Sequence, residues 1–253
     1  MMKILGLFGG QSTDGQTYQL MATMLGAVKA PNTTEIINLN DYQLQPDRYQ
    51  HPNAVLDQLE AKLDEADVWV LASPTYFGTI SGQLKQFLDC MRPRLVRMTK
   101  KGDSLPGKYK DKHYISISSC FASAWDNTFT HQTDQTFRTI DKAMTTAGLH
   151  KITELVLPNT WREHTLPDAK RHAAITIGEK LGQKSRKDDE TLKRYLLLFG
   201  MIALMSLVTM GIQQLIPVLT TSFLWRYISF VLVFFVLLAS LLHYATFMRH
   251  KRR

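Results

Sequence analysis

Two long apolar stretches near the carboxyl end constrain this chain most, because they differ sharply in composition from everything before about Lys193. Residues 195–219 contain no charged side chain, and residues 223–247 contain only Arg226 near their start and His243 near their end. A helix needs about 20 residues to cross a hydrocarbon core of about 30 Å. Residues 195–247 are therefore predicted to form a transmembrane helical hairpin.

Basic residues flank this pair of spans on both outer sides. A charged linker, residues 184–194, precedes the first span, and a basic tail, residues 248–253, follows the second. Basic flanks favour the cytoplasm, and two spans return the chain to the side from which it started. We therefore expect a two-span cell-membrane protein with the lipid bilayer as a partner and with residues 1–183 and both termini in the cytoplasm. The alternative is that the two stretches are buried helices of a larger soluble fold or a dimer interface.

The net charge of +8 does not require a nucleic-acid partner. Lysine and arginine residues next to a membrane face anionic lipid headgroups, which explains much of this charge. The sequence contains no nucleic-acid recognition motif, so we expect no nucleic-acid partner.

Residues 1–183 alternate between apolar runs and amphipathic stretches. The predicted strands cover residues 3–8, 35–39, 67–71, 114–118 and 152–157, and the predicted helices include residues 17–29, 55–65, 134–146 and 168–181. Repeated βα units with short connections predict a parallel sheet that is covered by helices on both faces. The third strand is continuously apolar, as is typical of a strand buried on both sides.

A loop rich in glycine and hydroxyl groups, residues 9–17, joins the first strand to the first helix. We call it the phosphate loop, because such a turn points backbone N–H groups and a helix dipole at an anion. Its candidate phosphate-binding residues are Gly10, Gln11, Ser12, Gly15, Gln16 and Thr17.

A second candidate loop, residues 74–78, follows the third strand, and we call it the aromatic turn. The carboxyl ends of parallel strands form the edge at which open α/β sheets bind their ligands. The helix that follows is predicted to bury Leu84, Phe87, Leu88 and Met91 on one side. The candidate ring-binding residues of the turn are Pro74, Thr75, Tyr76, Phe77 and Gly78.

The two loops together resemble those of the flavodoxin-like NAD(P)H-dependent FMN reductases and iron–sulfur flavoproteins. In that family the turn that binds the isoalloxazine ring reads P-x-Y-x-G followed by L-K-x-F-L-D, which residues 74–78 and 84–89 match. The family's phosphate loop commonly reads G-S-x-R-x-x-G-N-T, and residues 14–17 match its last part, whereas Ser12 stands where many relatives carry arginine. The resemblance implies a flavodoxin-like, doubly wound five-stranded sheet of order 2-1-3-4-5 with FMN as cofactor and NAD(P)H as donor.

The loop after the fourth strand would form a third wall of the flavin site, with Ser119, Cys120 and Phe121 as its candidate residues. Cys120 either tunes the flavin or is a buried thiol, and Trp125 and Trp161 either cover the ring or pack in the protein. With only two cysteines, one chain cannot ligate an iron–sulfur cluster. The eight histidines show no metal-ligand spacing, so we expect no metal site.

These features predict a membrane-tethered FMN-dependent oxidoreductase. It would pass reducing equivalents from NAD(P)H through FMN to a small-molecule acceptor such as a quinone or a free flavin. No catalytic acid or base is expected among the side chains, because the flavin carries the chemistry. The alternatives are a flavodoxin-like electron carrier, a non-enzymatic membrane scaffold that has lost flavin, and a reductase that the hairpin merely localises or dimerises. The sequence leaves open whether the chain forms a homo-oligomer.

Overall fold

Five parallel strands form the centre of the amino-terminal unit in a computed structural model, which describes residues 1–161, 165–181, 191–215 and 222–252. The chain divides into two units, Met1–Lys184 and Ser185–Arg252. The strands are β1 Lys3–Phe8, β2 Thr33–Asn38, β3 Val68–Tyr76, β4 His113–Ser119 and β5 His150–Leu157. The helices of the first unit are α1 Gln16–Gly26, α2 Ala54–Glu65, α3 Gly82–Leu95, α4 Ala124–Thr130, α5 Asp134–Thr146 and α6 Asp168–Leu181.

The strands lie in the order β2-β1-β3-β4-β5 and pair in parallel throughout. This is the predicted order 2-1-3-4-5, so the flavodoxin-like fold is confirmed. Because β1 and β3 are neighbours, the loops that follow them leave the sheet side by side. Open α/β sheets bind their ligands at this carboxyl edge.

Two apolar cores cover the two faces of the sheet, because alternate residues of each central strand point to opposite sides. On one face Trp69 and Leu71 pack with the buried residues of α2, α3 and α5. On the other face Val70 and Ala72 pack with those of α1 and α6. Burial on both faces explains the continuously apolar sequence of β3.

Several elements differ from their predicted bounds. Helix α1 ends at Gly26 instead of continuing to residue 29, because glycine is a poor helix former and the Ala27 N–H closes the last turn onto the Met24 and Leu25 carbonyls. Helix α4 and the short antiparallel pair Val96–Met98 and Ser104–Pro106 were not predicted. The predictions for α5 and α6 agree with the structure to the residue.

The second unit contains two long helices, α7 Thr191–Leu215 and α8 Phe223–Arg252. Segments Leu198–Leu215 and Phe223–Leu241 have mean hydropathies of 1.6 and 2.1, and both are long and apolar enough to cross a membrane. Helix α7 begins within the predicted charged linker, and α8 continues through most of the predicted basic tail. Residues 184–190 of the linker, residues 216–221 of the hairpin connection and residue 253 lie outside the described residues.

A buried amide joins the two helices of the second unit. Gln213 of α7 is 5% exposed, and its Nε2 donates to the Arg226 carbonyl oxygen at 2.7 Å and to the Ser229 hydroxyl at 2.8 Å. The neighbouring Gln214 is exposed. Polar side chains between apolar helices act in this way as points of association.

We expect Gln213→Leu to weaken the association of α7 with α8 by about 0.6–2 kcal/mol, the range measured for such bonds in membranes. Hydrogen–deuterium exchange of the full chain in detergent should then accelerate in peptides around residues 205–215 and 223–233. The matched control is Gln214→Leu, which changes the same side chain at an exposed position. Equal exchange in the two variants would contradict the assigned bond.

Candidate functional site

The phosphate loop makes a tight turn directly before α1. The Gly15 N–H donates to the Ser12 carbonyl oxygen at 3.2 Å, and the Asp14 N–H donates to the Ser12 hydroxyl at 3.1 Å. Gly15 is the N-cap residue of α1 and provides no side-chain hydrogen bond to the first turn. The positive end of the helix dipole and its first N–H groups therefore face the loop without a capping side chain, an arrangement suited to an anion.

Close packing fixes the first part of this loop. A Cβ atom on Gly10 would lie 2.3 Å from the Phe8 ring, so a larger residue at this position would require that ring to move. The Gly10 carbonyl accepts a hydrogen bond from Asn40 Nδ2 at 2.6 Å. Asn40 was not predicted as a site residue, because a single asparagine after a strand carries no local signal.

The aromatic turn is shorter than predicted. Pro74 and Thr75 belong to β3, which pairs with β4 as far as Ser119. The reversal itself consists of Phe77 and Gly78, with φ angles of 51° and 77°, and it leads into the short antiparallel strand Thr79–Ile80. Positive φ at both central residues is the mark of a tight hairpin turn in which glycine is favoured. The turn leaves the Phe77 side chain fully exposed.

The phosphate loop and the aromatic turn are in direct contact. Burial raises the pKa of the Tyr76 phenol, and the Gln11 backbone lies close enough to oppose this rise. The Ser81 hydroxyl donates to the Gly9 carbonyl oxygen, while the Gly9 N–H donates to the Ala72 carbonyl oxygen at 2.9 Å. These bonds hold the two candidate loops together at one edge of the sheet.

Hydroxyl groups connect the third predicted wall to the same place. Thr17 Oγ1 and Ser119 Oγ are 2.6 Å apart and buried, so the start of α1 touches the end of β4. Thr75 Oγ1 lies 2.9 Å from both Ser118 Oγ and Thr136 Oγ1. Thr136, on α5, was not predicted, because its hydroxyl follows no motif and is brought to the site only by the fold.

Cys120 is buried and its polar atoms are already engaged. Its N–H donates to the Leu157 carbonyl oxygen at 3.0 Å, its carbonyl oxygen accepts from the Thr160 N–H at 3.1 Å, and its thiol faces the Ala122 carbonyl at 3.7 Å. Burial raises the thiol's pKa to about 11. The structure therefore brings the phosphate loop, the end of β3 and Ser119 together at one edge of the sheet, and Cys120, which follows Ser119, is a buried thiol.

Aromatic side chains are exposed after β4 and β5. Phe121 is exposed, as are Trp161 and Trp125, and the Trp125 ring stacks on Phe129 with a centroid distance of 6.0 Å. The two tryptophans therefore do not belong to either apolar core.

The sequence that contains both candidate loops matches a known protein family. A family model described as NADPH-dependent FMN reductase matches residues 2–109, which include the phosphate loop and the aromatic turn. Residues 2–109 are therefore similar in sequence to the NADPH-dependent FMN reductases.

Two iron–sulfur flavoproteins are similar in sequence to part of this chain. An iron–sulfur flavoprotein of Methanocaldococcus jannaschii is 33% identical over 102 residues, which cover 36% of this chain and 53% of that protein. An iron–sulfur flavoprotein of Archaeoglobus fulgidus is 29% identical over 106 residues, covering 38% and 51%. The chain thus spans about half the length of the curated relatives it matches.

Solved structures share the fold of the amino-terminal unit. An NAD(P)H:quinone oxidoreductase from Methanothermobacter marburgensis aligns with a TM-score of 0.59 at 12% identity, over 72% of this chain and 98% of that one. An FMN-dependent NADH-azoreductase from Bacillus anthracis, solved in complex with FMN, aligns with a TM-score of 0.52 at 15% identity, over 72% and 98%. At these identities the likeness concerns the fold alone.

Proposed function

We propose that the chain is a membrane-tethered oxidoreductase that binds FMN and passes reducing equivalents from NAD(P)H to a quinone, a flavin or another small acceptor. The observation that carries this proposal is the hydrogen bonding of Gly9 with Ser81 and Ala72, which joins the phosphate loop to the segments on both sides of the aromatic turn at the carboxyl edge of β1 and β3. The family match over residues 2–109 supports it independently.

The residues at this edge fit FMN. An anion binds well at the uncapped start of α1, where the first-turn N–H groups point into the phosphate loop. The exposed Phe77 and the partly exposed Tyr76 offer apolar surface to a flat ring. The two features are adjacent, as the two ends of one nucleotide require.

The side chains of this site bind and orient, whereas FMN supplies the hydride and electron chemistry when bound. We assign Ser12, Gly15, Gln16 and Thr17 to the phosphate and Pro74 to Gly78 to the ring. The buried hydroxyls of Thr75 and Thr17 hold the walls in place through Ser118 and Ser119. Cys120 is given no contact with the flavin, because its thiol and backbone groups are satisfied inside the protein.

Titration of the full-length protein in mild detergent with FMN, followed by rapid mixing with NADPH or NADH, tests the activity. We expect one FMN per chain and rapid bleaching of the flavin absorbance by at least one of the two donors. A protein that binds FMN but is reduced negligibly by both would be an electron carrier. A protein that takes up no FMN would be a scaffold, and the proposal would be wrong.

The membrane tether belongs to the same proposal. Helices α7 and α8 are mostly apolar. Only 11% of segment Leu198–Leu215 and 6% of segment Phe223–Leu241 is buried, which favours lipid contact over a protein core. We propose that residues 1–183 form the FMN-binding domain, that 195–247 span the cell membrane twice, and that both termini lie in the cytoplasm. The basic residues outside the spans support this orientation.

Cysteine labelling of intact cells tests this orientation. Both native cysteines are buried, so a cysteine introduced by Leu219→Cys would be the accessible thiol. A membrane-impermeant maleimide should label Leu219→Cys from outside the cell and should label Arg252→Cys only after lysis. The reverse pattern, or labelling of both before lysis, would contradict two spans with cytoplasmic termini.

A further inference from the structure

The phosphate loop lacks a positive charge of its own. Asp14 is the only charged residue among residues 9–17, and it is exposed. A bound phosphate would therefore meet backbone N–H groups and hydroxyls together with one nearby carboxylate. Phosphate sites in proteins commonly add a lysine or arginine to such backbone donors. A cation from elsewhere in the fold would complete this site.

Helix α6 lies parallel to α1 and in close contact with it. Near the start of both helices, Gln16 Nε2 donates to the Thr165 carbonyl oxygen at 3.3 Å. Near their ends, a Cβ atom on Gly178 would lie 2.1 Å from the Met24 carbonyl oxygen, so the two backbones touch there. The two contacts fix both the direction and the register of α6 along α1.

This register places Lys170 beside the first turn of α1. Lys170, Ala174 and Gly178 follow one another at intervals of four residues and so lie on one face of α6. Gly178 lies beside Met24. Lys170 precedes Gly178 by eight residues, and Gln16 precedes Met24 by eight residues, which is about 12 Å along each helix axis. Lys170 is therefore level with Gln16. Gln16 is the first residue of α1 and directly follows the N-cap Gly15 of the phosphate loop.

The surroundings of Lys170 also favour the binding of an anion. The side chain is partly buried, and this burial lowers the pKa of its ammonium group. Within the described residues no carboxylate forms an ion pair with it, although lysines 29, 62, 85, 108 and 151 are each paired with an acid. A partly buried ammonium without a counter-charge is unfavourable, and a phosphate would supply that charge.

We propose that Lys170 is the cation of the phosphate site, taking the place of the arginine that many relatives carry in the loop where this chain has Ser12. The inference rests on the proposed function, because the anion is the phosphate of FMN. The site is thus built from two distant segments, the loop before α1 and the first turn of α6. Lys170 is a binding residue and takes no part in the transfer of electrons.

Comparison of FMN with riboflavin, which has the ring but no phosphate, tests this assignment on the full-length protein in detergent. Fluorescence titrations of Lys170→Met should show FMN affinity reduced by roughly 10- to 100-fold, as expected when a charged hydrogen bond is lost. Riboflavin affinity should stay within about twofold of the wild-type value, since nothing that touches the ring has changed. Lys170→Arg should retain most of the FMN affinity, because the charge is kept.

Lys180→Met is the matched control, because Lys180 is an exposed lysine on the same helix, about 15 Å along its axis from Lys170. It should bind both flavins as the wild type does. Unchanged FMN affinity in Lys170→Met, or an equal loss for FMN and riboflavin, would overturn the role of Lys170 while leaving the proposed function intact. A wild-type protein that binds neither flavin would overturn both.

Discussion

Gly15→Val should abolish FMN retention while the sheet still folds. A Cβ atom at position 15 would lie 3.2 Å from the Ser12 carbonyl oxygen, and the two methyl groups of valine need further room in the same turn. The bond from the Gly15 N–H to that carbonyl closes the loop, so the added bulk would open it and displace the N–H groups before α1. Hydrogen bonds to charged groups contribute roughly 1.5–3 kcal/mol each, so losing two would weaken FMN binding by a hundredfold or more.

The control for this variant is Gly26→Val, at the opposite end of the same helix. Apart from the adjacent residues and the backbone of the same helix, no atom lies within 4 Å of a Cβ placed at Gly26, so the space beside this position is open. Isothermal titration with FMN and far-ultraviolet circular dichroism of both proteins would complete the test. Wild-type FMN affinity in Gly15→Val would show that the phosphate does not bind in this loop.

Trp69→Ala should cause the largest loss of stability in the amino-terminal unit. Trp69 lies in the central strand β3 and is fully buried, with its Nε1 donating to the Leu63 carbonyl oxygen at 3.3 Å. Its ring meets Tyr109 edge to face at a centroid distance of 4.9 Å. Replacing a buried tryptophan by alanine costs about 3–5 kcal/mol, because apolar contact is lost and a cavity remains.

Chemical unfolding of residues 1–183, followed by circular dichroism, measures this loss, provided that the truncated wild type first shows a cooperative transition. Trp125→Ala provides the comparison, since it removes the same ring where 69% of the residue is exposed. We expect that variant to change the free energy of unfolding by less than about 1 kcal/mol. Similar losses in the two variants would contradict the assignment of Trp69 to the core and Trp125 to the surface.

The sequence predicted the sheet well, because its signals are local. Helix α5 agrees to the residue, since its apolar periodicity ends at Gly148, which has a φ of 90° that favours glycine. The continuous apolar run of the third strand likewise indicated its burial on both faces. Helix α4 was missed because its seven residues are mostly exposed and carry no apolar stripe.

The composition of the site was harder to predict than its location. Local patterns indicated the phosphate loop and the aromatic turn, but they could not show that Pro74 and Thr75 still belong to β3. That extension depends on pairing with β4, whose residues are distant in sequence. The contacts of Tyr76 with Gln11 and of Thr17 with Ser119 are also long-range, and only the packing of the complete sheet reveals them.

Quantitative flavin analysis of the full-length protein, purified in mild detergent and titrated with FMN, tests the central claim most directly. We predict a yellow protein that saturates at one FMN per chain and releases FMN when Gly15 is replaced by valine. A wild-type protein that stays colourless and takes up no FMN would contradict the assignment of these two adjoining loops to a flavin nucleotide.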